Sequence, residues 1–206
     1  MIKNIIYAIL LGVGMAACLS QREEDIGGEA DQAATAASTE TELTEEMATP
    51  DPASFIIQKG RVGELAIGTP IDSMRNQVPV GYTIADTTLT QEGNQSTAYL
   101  LKPEGAAKGL LIEQGCNPTC NVWRINVQHP DFRTPKGIGV GSKYSEVQEQ
   151  HPISTVTLAD GGFVAVSNGA GMSFVLDTSQ LPQNRIASYT PETVPANTIV
   201  KRILIY

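Results

Sequence analysis

The chain has 206 residues, a formal net charge of −8 and a sequence pI of about 4.7. The charge is uneven: residues 22–51 contain ten Asp or Glu against the single Arg22, whereas residues 52–206 contain twelve acidic and twelve basic residues. A nucleic-acid-binding domain needs a concentrated basic face. The near-neutral C-terminal part therefore argues against nucleic acid as a partner.

The first seventeen residues have the composition of a signal peptide. Lys3 supplies a positive charge, residues 5–15 are apolar, and the small residues Ala16 and Ala17 precede Cys18. Spanning a bilayer takes about 20 apolar residues, so this run is too short. A charged start, an apolar centre and a small-residue end are typical of an exported precursor. We therefore predict a lipoprotein signal peptide at residues 1–17.

Cys18 is the expected lipidation site. Met15-Ala16-Ala17-Cys18 resembles the bacterial lipobox, which implies a diacylglyceryl group on Cys18 and anchoring in a lipid bilayer. An ordinary secretory signal, cut after Ala17, is the alternative. In lipidated precursors a residue other than Asp after the cysteine implies the outer membrane, and here that residue is Leu19. The expected location is the bacterial cell envelope, at the outer membrane and facing the periplasm.

Two regions follow the signal peptide. Residues 18–52 combine the lipidated cysteine with a stretch of low hydrophobicity and like charge, which cannot bury enough apolar surface to fold. We predict a disordered acidic linker there. Residues 53–206 contain short apolar runs separated by Gly, Pro and Asn, which is typical of β-structure. We predict one domain over residues 53–206.

Two stretches of this domain resemble each other, residues 65–79 and residues 138–152, at a shift of 138 − 65 = 73 positions. In each stretch a Gly is followed by a hydroxyl residue, Thr69 or Ser142, that can cap a helix N-terminus. A Pro near the end of each stretch is expected to stop the helix.

The similarity continues downstream and ends with residues 122–127 and 200–205. It predicts an α+β fold, in which a β-rich domain is built from two tandem repeats. Repeat one would span about 62–130 and repeat two about 136–206. Each repeat would consist of a short helix followed by an antiparallel meander.

Cys116 and Cys120 flank an Asn-Pro turn signal between two strand-like runs. In an oxidising envelope this arrangement indicates a structural disulfide. A redox-active pair is one alternative, although such pairs generally have two intervening residues rather than three. A zinc site is another, but it needs four ligands, and His129 and His151 are scattered. We predict a disulfide and no metal.

The remaining motifs do not indicate catalysis. The glycine-rich residues 137–143 lack the Gly-Lys-Ser/Thr order of a phosphate-binding loop, and the carboxylates are spread singly. Trp123 is expected to be a core or sheet-face residue rather than a ligand platform. We predict no catalytic residue and no cofactor, and we do not expect an enzyme.

The chain resembles the RpoE-regulated lipoprotein family, small bacterial envelope lipoproteins of unknown function. The residues that carry the resemblance are Val62–Leu65, Gly68–Pro70, Thr134–Val147 and Lys201–Ile205. The repeat pattern is also similar to the BamE lipoproteins and the β-lactamase inhibitor proteins, at the level of fold. These resemblances imply a non-catalytic binding or scaffolding role, with another envelope protein or a cell-wall component as partner. The alternative is a periplasmic hydrolase or redox protein.

Overall fold

The computed structural model describes residues 51–91, 93–159 and 161–206. The predicted signal peptide, Cys18 and nearly all of the acidic linker lie outside these residues. No helix in the described part is long and apolar enough to cross a membrane.

Strands account for most of the regular structure. In chain order they are β1 (Ile57–Gln58), β2 (Arg61–Val62), β3 (Leu65–Ala66), β4 (Tyr82–Gln91), β5 (Asn94–Pro103), β6 (Leu110–Cys116), β7 (Cys120–Val127), β8 (Thr155–Ala159), β9 (Gly162–Ser167), β10 (Met172–Leu176) and β11 (Val200–Ile205). The helices are α1 (Ile71–Arg75), α2 (Tyr144–Gln150) and the 3₁₀ helices Pro52–Phe55 and Gln183–Ser188.

Eight strands form one antiparallel sheet in the order β4-β5-β6-β7-β11-β10-β9-β8, and β1-β2-β3 form a small antiparallel sheet of their own. The pairing of β7 with β11 joins the strands of the two halves, with Val127 opposite Ile203 and Ile125 opposite Ile205. Because neighbouring side chains on a strand point to opposite faces, this register places all four residues on the same face.

That inner face of the large sheet carries the hydrophobic core. Ile112, Ile125, Phe174 and Ile203 are fully buried there, and they belong to a single apolar cluster. The helices contribute few residues to the cluster: α1 adds Ile71 and Met74, α2 adds Tyr144 and Val147, and the 3₁₀ helix Gln183–Ser188 adds Ile186. We call the opposite side of the sheet the outer face.

The predicted α+β fold of two tandem repeats is wrong. The structure is β-rich, with two antiparallel sheets of three and eight strands and only short helices. With five and seven residues, α1 and α2 are too short to form a helical layer. Strands from both halves share one sheet and one core, so neither half is a separate module. The small sheet was missed because two-residue strands have no detectable alternation.

The helix caps also differ from the prediction. The N-cap residues are Pro70 and Lys143, and neither makes a side-chain capping bond. Thr69 and Ser142 therefore do not cap these helices. The Ser142 hydroxyl instead accepts a hydrogen bond from the Gly139 N–H at 3.1 Å, which closes the turn before α2.

Tyr144 gives the fold a dependence on alkaline pH. Its side chain is fully buried, and its hydroxyl donates to the Pro191 carbonyl at 2.8 Å. Burial, with a smaller effect of the Glu192 charge, raises the pKa of Tyr144 from 10.0 to about 12. The folded state therefore favours the neutral phenol more than the unfolded chain does, and this contribution to stability is complete below pH 10 and disappears between pH 10 and about 12.

We therefore expect the free energy of unfolding to fall as the pH rises through this window, and to fall less steeply in Tyr144→Phe. Urea titrations of both proteins at a series of alkaline pH values measure the difference. Parallel curves for the two proteins would contradict this role of Tyr144.

Candidate binding surfaces

The predicted disulfide is confirmed. Cys116 and Cys120 are bonded to each other and pair across the tip of the β6–β7 hairpin, where the Asn117–Pro118 peptide bond is cis. Both sulfur atoms are therefore committed to the disulfide rather than available as the thiolates that zinc binds. Among the described residues no group of three or more His, Cys, Asp or Glu could hold a metal ion.

Replacing both cysteines with serine should lower the free energy of unfolding by about 2 kcal/mol, because so small a loop constrains the unfolded chain only modestly. Urea unfolding of the variant against the oxidised wild type measures this loss. Adding a reductant should reproduce it in the wild type and leave the variant unchanged. A variant as stable as the oxidised wild type would show that the bond does not stabilise the hairpin.

A β-bulge beside this hairpin displays Trp123. Glu113 lies opposite Arg124 and Gln114 lies opposite Val122, so Trp123 has no residue opposite it on β6. A bulge of this kind re-aims side chains. Trp123 is 54% exposed, so it is a sheet-face residue and not part of the core.

Arg124 and Glu113 form an ion pair next to Trp123. Arg124 Nε donates to Glu113 Oε1 at 2.9 Å, and Arg124 Nη2 donates to Glu113 Oε2 at 2.6 Å. The two side chains are only 4% and 10% exposed. Two parallel bonds to one carboxylate hold a guanidinium in a defined plane, so the position of Arg124 is set by the protein itself.

The aromatic rings pack around this guanidinium. Arg124 Cζ lies 5.0 Å from the centroid of the Trp123 ring and 6.0 Å from that of Tyr206. The two rings meet edge to face, with centroids 6.5 Å apart. Tyr206 is also exposed. We call Trp123, Arg124 and Tyr206, together with Glu113, the aromatic–arginine patch.

Such a patch can recognise another surface. Trp, Tyr and Arg are the residues most enriched among those that dominate binding energy at protein interfaces. Their rings offer a large contact area at a low entropic cost when they are already ordered. The cation–π contacts and the buried ion pair provide that order here.

An apolar cleft of about 390 Å³ opens at a second place, between the small sheet, α1 and the start of β4. Its volume lies in the range of small ligand sites, about 300–1,000 Å³. The lining residues are Asp51, Ser54, Val62, Glu64, Leu65, Met74, Gln77, Val78, Pro79, Val80, Tyr82, Leu101, Leu110 and Phe132. Burial raises the pKa of Tyr82, and the nearby charge of Asp131 raises it further.

The remaining residues singled out in the sequence do not come together in a site. His129 lies in the loop after β7, with Nδ1 3.5 Å from an Asp131 carboxylate oxygen. His151 is buried at the end of α2 against Phe174, and burial together with the charge of Lys136 lowers its pKa.

Neither surface was predicted from the sequence. The only signal for the patch in the sequence was a Trp next to an Arg in a strand-like run, and alternation alone could not reveal the bulge. The cleft has no signal, because its walls come from segments up to 81 residues apart, Asp51 and Phe132 being the extremes (132 − 51 = 81).

No protein-family model and no curated protein sequence matches this chain. Among solved structures the chain is similar to the crystal structure of the uncharacterized protein yfeY from Escherichia coli, with a TM-score of 0.54 and 19% sequence identity. The similarity covers 73% of this chain and 97% of that chain. At this identity the likeness concerns the fold alone. Membership of the RpoE-regulated lipoprotein family stays a prediction, whereas the likeness to BamE and the β-lactamase inhibitors fails together with the tandem repeats on which it rested.

Proposed function

We propose that this protein is a non-catalytic binding module of the bacterial cell envelope that docks onto another envelope protein through the aromatic–arginine patch. Acylated Cys18 would anchor it to the outer membrane on the periplasmic side, and the acidic linker would hold the domain away from the bilayer. The observation that carries the proposal is the half-exposed Trp123, held in place by an arginine whose own position is set by a buried carboxylate.

The energetics of the patch favour recognition over a purely structural role. A buried ion pair is often no more stabilising than a pair of well-packed apolar side chains, because both charges must lose water. Here the pair supports an aromatic ring that is itself only partly buried. An arrangement that orders an exposed tryptophan in advance lowers the entropic cost of binding a partner.

The docking claim can be tested on complexes extracted from the envelope of the native cells. Trp123→Ala should convert a large sedimenting form of the lipoprotein into a smaller one, because truncating a dominant interface residue weakens binding by about 2 kcal/mol or more. Leu158→Ala is the matched control, since Leu158 lies on the edge strand β8 and is 59% exposed. Identical sedimentation of wild type and Trp123→Ala would contradict the proposal.

The anchor has a separate test. Mass spectrometry of the envelope fraction should find the mature chain beginning at an acylated Cys18, and Cys18→Ser should leave the protein unlipidated. A mature chain without lipid would refute the lipid anchor. The docking proposal would still be decided by the sedimentation of Trp123→Ala.

A further inference from the structure

The edge strand β4 lacks most of the features that usually prevent an edge strand from pairing with another chain. Within the described ranges it has β5 as its neighbour on one side and no strand on the other. It is ten residues long and contains one charged residue, Asp86, and no Lys or Pro. Natural edge strands are usually short or carry charges and prolines, which prevent pairing with other chains. The edge of β4 is therefore open to an added strand.

The backbone groups that an added strand would use can be identified. Strand β4 pairs with β5 in an uninterrupted antiparallel register, and just before it the Gly81 carbonyl accepts from the Glu104 N–H at 2.9 Å. In such a ladder alternate residues bond to the partner strand. Odd-numbered residues of β4 therefore bond to β5, and the even-numbered residues from Ile84 onward, Thr88 among them, direct their N–H and C=O groups outward.

The apolar cleft lies at the beginning of this edge. Val78, Pro79 and Val80 lead into β4 and line the cleft, as does Tyr82, the first residue of the strand. An added strand that continues past Tyr82 would therefore bring its next side chains to the mouth of the cleft.

The charged residues that line the cleft are acidic. Asp51 and Glu64 stand among its lining residues, and none of the described residues that line it is a Lys or Arg. Buried apolar residues such as Leu65, Met74 and Leu110 form its wall. This combination suits a bulky apolar side chain with basic neighbours and disfavours an acidic ligand.

We propose that β4 and the apolar cleft together bind an extended segment of a partner protein, which adds as a strand to β4 and inserts a bulky apolar side chain, flanked by Lys or Arg, into the cleft. Main-chain bonds along β4 would supply affinity, and the cleft would supply specificity. The inference goes beyond the proposed docking through Trp123. It concerns a different surface, and either can fail without the other.

The test uses the full chain in mild detergent and fluorescent peptides that alternate Thr and Val and carry Lys-Phe-Lys at one end or the other. Fluorescence anisotropy should show binding of at least one of these peptides. Peptides with Glu-Phe-Glu should bind about tenfold more weakly or not at all, since like charges at the rim oppose them.

Two pairs of variants locate the site. Thr88→Pro removes an outward N–H without breaking the β4–β5 ladder and should abolish binding, whereas Thr88→Val keeps the N–H and should bind as wild type does. Glu64→Lys should weaken binding of the Lys peptides about tenfold, whereas Glu149→Lys, the same charge change on the exposed side of α2, should not. Thermal unfolding of each variant identifies any loss of fold. If Thr88→Pro does not fold, the comparison of Glu64→Lys with Glu149→Lys decides whether the site is correct.

Three results of the peptide-binding assay would overturn the inference: no binding of any Lys peptide, equal binding of the Lys and Glu peptides, or binding that survives both Thr88→Pro and Glu64→Lys. Dimers of the chain that dissociate in Thr88→Pro would also overturn it, because the edge of β4 would then pair with a second copy of the chain.

Discussion

Arg124→Ala should lower the free energy of unfolding by about 3–5 kcal/mol, because it leaves the Glu113 carboxylate buried without its partner. The two hydrogen bonds of 2.9 and 2.6 Å would be lost, and Trp123 would lose the guanidinium that packs against it. Urea or guanidinium unfolding, followed by circular dichroism, measures the change. Glu113→Ala should have a similar effect, since it leaves the Arg124 guanidinium buried without its carboxylate partner.

An exposed ion pair between α1 and β4 provides the control. Arg75 and Asp86 are also bonded at 2.5 Å, but their side chains are 41% and 61% exposed. Arg75→Ala should therefore change stability little, because water screens such a pair. The double variant Glu113→Leu/Arg124→Leu should recover much of the loss, since neither charge remains buried. If Arg124→Ala were no more destabilising than Arg75→Ala, the ion pair would not be what holds the patch in place.

Phe174→Ala should destabilise the protein by about 3–5 kcal/mol through the cavity it leaves in the core. Phe174 is fully buried in β10, in the second half of the chain. Because both halves share one sheet and one core, the loss of stability should extend to the strands of the first half. Native-state hydrogen exchange should show amides of β6 and β10 losing protection by the same free energy, as expected for one cooperative unit.

Leu158→Ala serves as the control for this experiment, because a side chain that is 59% exposed on an edge strand should change stability by no more than about 0.5 kcal/mol. Exchange in β6 that stays at its wild-type rate in Phe174→Ala would contradict the single core. It would mean that the two halves unfold separately.

The sequence allowed the β-rich character and the disulfide to be predicted, because both depend on local signals. Short apolar runs between turn residues indicate strands, and Cys116 and Cys120 flank an Asn-Pro turn. The arrangement of the strands was predicted wrongly. Similar segments at 65–79 and 138–152 indicated two repeat modules, but sequence similarity does not reveal that β7 pairs with β11 and merges both halves into one sheet.

The candidate surfaces could be predicted even less, because they depend on contacts between distant residues. Trp123 is exposed since a bulge places it outside the regular alternation, and its neighbour Tyr206 comes from the other end of the domain. A carboxylate buried at Glu113 is equally invisible in the sequence until Arg124 is known to lie opposite it. The cleft brings together residues from the small sheet, α1 and three strands of the large sheet.

We propose that Trp123 is the contact point for another envelope protein. The most direct test of this proposal is to replace Trp123 with a photo-reactive aromatic amino acid, which keeps a large ring at position 123, in the full lipoprotein and to irradiate living cells, with position 158 as the control. We expect a discrete cross-linked product with one envelope protein from position 123 and none from position 158. No product from position 123, or the same products from both positions, would contradict it.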